Sequence, residues 1–214
     1  MQSGKSVARK ASSALAESGA NPQGKGLTGF LLDWEYSSPR GVVAKRAPQL
    51  LADYFTSLLV LSAAFTFRPV FGKDYYLYVN GNDWSLSLVS PEEWDTDARR
   101  RTFVGTCVLH RDSTWSIEPS ENIGSEGPVS DALAAFYDGF LEMLDSKEVL
   151  EDGLPYYEAQ RPYYQRLFAA ALSRSMHGSM TLGDQLGRDA GSWLVQMPGS
   201  VDRLLLAGAR EPRE

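Results

Sequence analysis

One cysteine, Cys107, and two histidines, His110 and His177, are all the chain has of the residues that most often serve as metal ligands or as nucleophile and base. A single thiol forms no intrachain disulfide and cannot build a thiolate zinc cluster, so a reducing cytoplasm fits and no metal is expected. Long apolar runs are missing as well. The longest, Tyr54 to Phe67, stops at Arg68-Pro69, short of the roughly 20 residues a membrane span needs, and reads as a buried helix. There is no phosphate cradle, because Gly24-Lys25-Gly26 is neither a Walker loop nor a dinucleotide fingerprint, and no cofactor is expected. Positive charge is in deficit: 21 Lys and Arg against 27 Asp and Glu give a formal net charge of −6, which disfavours nucleic acid as a partner. Lys5, Arg9 and Lys10 precede the first acid, Glu17, with no apolar segment behind them. That pattern lacks a secretory signal, and it suits either a frayed basic helix or a mitochondrial presequence.

What the chain does have is the composition of a folded domain. Its hydrophobic share of 43% beside 22% charged residues is ordinary for a globular protein, and 214 residues are enough for one core. Residues 1–26 are small and polar and end in Asn21, Pro22, Gly24 and Gly26, which marks a lead-in before a single domain over 27–206 and a polar tail over 207–214. Pro48 opens a helical pattern carrying Leu50, Leu51, Tyr54, Phe55, Leu58 and Leu59, the expected central core helix.

The fold class expected is α+β, with a small antiparallel meander of about four strands at 74–118 packed against several helices. Tyr75, Leu77 and Val79 alternate, Asn80-Gly81 offers a turn, and Trp84, Leu86 and Leu88 alternate after it. Ser90-Pro91-Glu92-Glu93 has the form of a capping box leading to Trp94. Phe103 to Leu109 reads as a third strand, Arg111-Asp112-Ser113 as a turn and Trp115 to Ile117 as a fourth strand. The helical part, 130–206, is expected to hold a helix capped by Ser130 and bearing Leu133, Phe136, Phe140 and Leu144. A second runs from Pro162 with Tyr164, Leu167, Phe168, Ala171 and Leu172 on one stripe and Gly178 past its end.

The strings Tyr75-Tyr76-Leu77-Tyr78, Leu88-Val89-Ser90-Pro91-Glu92-Glu93-Trp94 and Phe103-Val104-Gly105, followed by Leu109, Asp112 and Ser113-Thr114-Trp115, resemble the domain of unknown function 2452 family. The resemblance covers about residues 74–118 and implies no catalytic residues. The Arg99-Arg100-Arg101 run and the long helical C-terminal part depart from the family's pattern.

Three functional readings fit the sequence. The first is a non-enzymatic protein-binding or adaptor module, whose partner is another protein met through exposed side chains such as Tyr76, Tyr78, Trp94, Arg99, Arg100 and Arg101. An acidic chain can also complement a basic partner. The second is a small hydrolase or transferase pairing His110 or His177 with Asp33, Glu35 or Asp112, where Asp33 and Glu35 flank Trp34 on one side of a strand. The third is an RNA-associated factor using Arg99–Arg101 and a second cluster, Tyr156, Tyr157, Arg161, Tyr163, Tyr164 and Arg166. No catalytic assignment follows, since neither histidine sits in a motif and each carboxylate has a structural explanation.

Overall fold

The computed structural model describes residues 26–93, 101–121, 123, 127–155, 160–197, 201 and 204–205. Within them the chain forms five α-helices and one four-stranded antiparallel sheet, an α+β fold. Helix α1 spans Leu27–Ser37 and α2 spans Ala47–Ser62. Strands β1 (Asp74–Asn80), β2 (Asp83–Ser87), β3 (Thr102–Leu109) and β4 (Trp115–Pro119) follow. Helices α3 (Pro128–Asp145), α4 (Tyr163–Leu182) and α5 (Ala190–Leu194) complete the order. Among the described residues no helix is long and apolar enough to cross a membrane.

The central helix sits where the apolar run of the sequence places it. Pro48 lies in its first turn, and Leu50, Leu51, Tyr54, Phe55, Leu59 and Val60 are fully buried. Helix α2 packs against β4, α3 and α4, so it forms the axis between sheet and helices. Two of its polar side chains tie it to its neighbours: the Ser57 hydroxyl accepts the Trp115 amide at 2.9 Å, and the Tyr54 hydroxyl donates to the Gly153 carbonyl. Burying a large apolar side chain contributes about 1.5–3 kcal/mol each, which makes α2 a major contributor to core stability.

Sheet order is β2-β1-β3-β4, which departs from a straight meander because β3 pairs with β1 rather than with β2. The outer edge of β2 is already occupied. Ala64, in the extended segment after α2, donates to the Trp84 carbonyl at 2.8 Å and accepts from the Leu86 amide at 3.1 Å. The chain after β2 therefore returns across β1 to that strand's free edge. The turn between β1 and β2 also falls one residue later than expected. Asn80 pairs with Asp83, so the loop residues are Gly81 and Asn82. Gly81 takes φ 59° and Asn82 does not follow it into positive φ, the pattern of a turn with glycine in its first central position.

Gly105 explains a tight point in the sheet. A Cβ there would lie 2.5 Å from the Glu118 carbonyl oxygen and 2.8 Å from Ile117 Cγ2, so only glycine lets β4 approach. The register shift between Leu77 and Tyr78 lies beside it.

Helix boundaries differ from the sequence reading in four places. The apolar run from Tyr54 to Phe67 is helical only as far as Ser62, because Ala64 pairs with β2 instead of continuing the helix. The apolar segment from Leu27 is helix rather than strand, because Phe30, Asp33, Trp34 and Ser37 share a face turned inward at helical spacing. Helix α3 starts at Pro128 after Gly127 rather than at a Ser130 cap, since proline already has the φ of a first helical residue. Helix α4 runs through Gly178 and ends at Gly183; the sequence stripe continues with the buried Met176 and Met180, which hold the last turns to the core.

A buried ion cluster fixes the β3–β4 turn. Lys45 Nζ binds Asp53 Oδ2 on α2 and lies 3.0 Å from Asp112 Oδ2 in the turn, with all three side chains at least nine-tenths buried. Gln49 Nε2 donates to Asp53 Oδ1 at 2.8 Å and Thr114 Oγ1 to Asp112 Oδ1 at 2.7 Å. Ser113 is held at φ 64° beside it and donates to the Ser37 carbonyl at 2.9 Å. Lys45→Met is therefore expected to cost about 3–5 kcal/mol, because it strands two buried carboxylates. Urea unfolding measures the loss, and adding Asp53→Asn and Asp112→Asn to that variant is expected to recover most of it. A midpoint unchanged by Lys45→Met would show that the cluster contributes nothing.

Candidate functional site

A concavity forms beside β2, where the segment after α2, α3 and the start of α4 meet. The backbone bonds of Ala64 hold the segment after α2 against β2, and Gln165, near the start of α4, donates from its amide nitrogen to the Ala63 carbonyl. Across from them, α3 presents the small residues Ala132 and Ala135, which leave open space that larger side chains would fill. The result is a cleft of about 730 Å³. Its walls carry Phe65, Trp84 and Phe136, the last two meeting edge to face at 6.3 Å between ring centres. Phe65 is buried, whereas Trp84 and Phe136 are half-buried and partly open to solvent. Ser62, Thr66 and Asn82 add polar groups, and Asp83 is the one charged residue among the described residues of the lining. A concave, mostly apolar surface with a few polar groups is the usual form of a binding site.

The residues expected to bind a partner fall into two groups. Tyr76, Tyr78 and Arg101 come together on the sheet face turned away from α2, where Phe103 lies 6.3 Å from Tyr76 and 5.6 Å from Tyr78. Arg101 is exposed and its guanidinium is 3.5 Å from the Ser85 hydroxyl. Tyr78, expected at the surface, is instead only 4% exposed and donates its hydroxyl to the Val89 carbonyl at 3.0 Å. The chain after β2 folds back over that ring, which alternation alone does not disclose. Glu93 does accept the Ser90 amide at 3.1 Å, as the capping box requires. Trp94, Arg99 and Arg100 lie outside the described residues.

The candidate catalytic groups do not assemble in the cleft. On helix α1, Asp33 and Glu35 face apart rather than flanking Trp34 on one side of a strand. Asp33 is buried and binds Arg68 at 3.2 Å and the Tyr163 hydroxyl at 3.1 Å, while the exposed Glu35 lies 3.8 Å from Arg40. Asp112 is engaged by Lys45. His177 is exposed on α4, with its Nδ1 3.5 Å from the Thr181 hydroxyl. His110 Nε2 lies 2.7 Å from Ser116 Oγ, a diagonal cross-strand pair on the sheet face opposite the cleft. Among the described residues no group of three or more His, Cys, Asp or Glu could hold a metal ion.

The second aromatic-basic cluster turns inward. Tyr163, Tyr164 and Arg166 are all buried, and Arg166 stacks on the Tyr163 ring at 5.5 Å. Those rings offer no face for a base to stack on. Tyr156 and Tyr157 lie outside the described residues. The arginines near α1 also have structural roles: Arg174 covers the Trp34 ring at 4.4 Å and Arg68 the Tyr36 ring at 4.5 Å. Desolvation lowers the Arg174 pKa from its ordinary value, opposed by the nearby Glu35 carboxylate.

No known protein family, curated protein sequence or solved structure matches the chain. The cleft residues Phe65, Asp83, Phe136 and Gln165 are not those singled out by motif. The one sequence signal pointing to them is the strand that carries Trp84 directly after its turn.

Cys107 is fully buried on the inner sheet face, and burial pushes its thiol well above the ordinary 9.0. The unfolded chain releases this proton first, so the stabilisation is complete below the unfolded thiol pKa and falls as pH rises beyond it. Between pH 9 and 10 the wild type is expected to lose about 1 kcal/mol relative to Cys107→Ala, the slope steepening toward about 1.4 kcal/mol per pH unit above that. Urea unfolding across that range, with equal slopes for both proteins as the contrary result, checks the assignment.

Proposed function

We propose that the protein is a non-enzymatic binding module that takes up part of another protein in the cleft bounded by β2, α3 and α4. The observation that carries this reading is the cleft itself, about 730 Å³ with two half-buried aromatic rings in its walls. Partly exposed aromatic side chains in a concave setting supply contact area at little conformational cost, which is how binding surfaces concentrate their energy. Among the described residues the lining holds neutral polar groups, one carboxylate and aromatic surface but no histidine, cysteine, lysine or arginine. The engaged carboxylates, the neutral buried thiol and the inward-facing Tyr163, Tyr164 and Arg166 favour this reading over the hydrolase and RNA-associated alternatives. A cytoplasmic setting is part of the proposal, because one buried thiol needs no oxidising compartment. The resemblance of residues 74–118 to the domain of unknown function 2452 family is kept as a proposal about descent and brings no activity with it.

Ala135 gives a clean test, since it lines the cleft yet is exposed on α3, so a longer side chain there obstructs the site without entering the core. Affinity capture from the native host is expected to retain a stoichiometric protein partner with wild type and lose it with Ala135→Arg, provided circular dichroism shows the variant folded. Equal capture by both would remove the cleft from the interface.

A further inference from the structure

We infer that the cleft recognises a basic side chain of the partner, an arginine or lysine whose apolar stem lies along the aromatic wall. This rests on the binding-module reading and adds the chemistry of the ligand to it.

Three observations converge. Gln165 is only 7% exposed, and its amide nitrogen is held by the Ala63 carbonyl, so the orientation of the amide is set. Gln165 lines the cleft and its Oε1 accepts no hydrogen bond from the described residues, so a ligand N–H satisfies it. Among the described residues the one formal charge of the lining is the exposed Asp83, whose carboxylate makes neither an ion pair nor a hydrogen bond with them. Trp84 and Phe136 complete the wall with ring surface, which attracts a guanidinium or ammonium through the ring quadrupole.

An anionic group is disfavoured by the same features, because it meets the Asp83 carboxylate and the Gln165 acceptor with no cation among the described lining residues to offset them. A neutral apolar group leaves Gln165 Oε1 and Asp83 unanswered. The chain carries a net charge of −6, which steers a basic partner toward it and argues for a protein-borne cation.

The test is a ¹H–¹⁵N titration following the Trp84 indole resonance of the full chain, assigned with Trp84→Phe. The probes are acetyl-Gly-Arg-Gly-amide, the same peptide with neutral citrulline in place of arginine, and free ethylguanidinium. The arginine peptide is expected to bind at least about fivefold more tightly than the citrulline peptide, and Asp83→Asn is expected to erase that preference. Equal shifts from arginine and citrulline, or a preference that survives Asp83→Asn, would overturn the inference. Ethylguanidinium binding as tightly as the peptide would assign the site to a free cation and overturn it too. A captured partner lost with Ala135→Arg but indifferent to Asp83→Asn would leave the binding module standing and sink only the basic side chain.

Discussion

The fold depends on one buried arrangement of charge. Lys45, Asp53 and Asp112 come from three separate stretches: the extended segment before α2, α2 itself and the β3–β4 turn. Ions out of water are tolerated only when each is answered by an opposite charge and by hydrogen bonds. Gln49 and Thr114 supply those bonds, and every partner must be in register for all of them to form. This makes the cluster a device for uniqueness more than for bulk stability. A shift of α2 against the sheet strands a carboxylate, whereas an apolar contact would yield gradually.

From that fixed point the remaining geometry follows. With β4 tied to α2 through the Trp115 amide and Ser57, the inner sheet face is buried along Tyr75, Leu77, Cys107, Leu109, Trp115 and Ile117. The chain leaving α2 then runs beside β2 and closes that edge with two backbone bonds at Ala64. An edge covered in this way is protected from pairing with another chain. The same pairing draws Phe65 and Trp84 together opposite α3, where alanines at 132 and 135 stop short of filling the gap. The cleft is thus a consequence of closing the sheet edge against a helix with small residues on its facing side.

A second set of contacts secures α1. Asp33 is bound by Arg68 and Tyr163, and Arg174 lies over Trp34. These two arginines, which belong to neither aromatic-basic cluster of the sequence, secure α1 against the rest of the fold. Guanidinium groups suit that task because they stack on rings while keeping edges free for hydrogen bonds. Among the described residues, Asp83, Trp84 and Gln165 instead line the cleft.

The sequence by itself determined the elements whose signals are local. Alternation gave Tyr75, Leu77 and Val79 one buried face, the apolar run after Pro48 gave α2, and Ser90 to Glu93 gave a capping interaction. Those patterns depend on residues a few positions apart, so backbone geometry alone links them to structure. Strand order, the burial of Tyr78 and the helical state of the segment from Leu27 were decided by tertiary structure. Each depends on a partner distant in sequence, Ala64 beside β2 or Tyr163 against Asp33, and no local period encodes such a meeting. The cleft belongs to the same class, since its acceptor, its charge and its rings become a site only when α4, β2 and α3 converge.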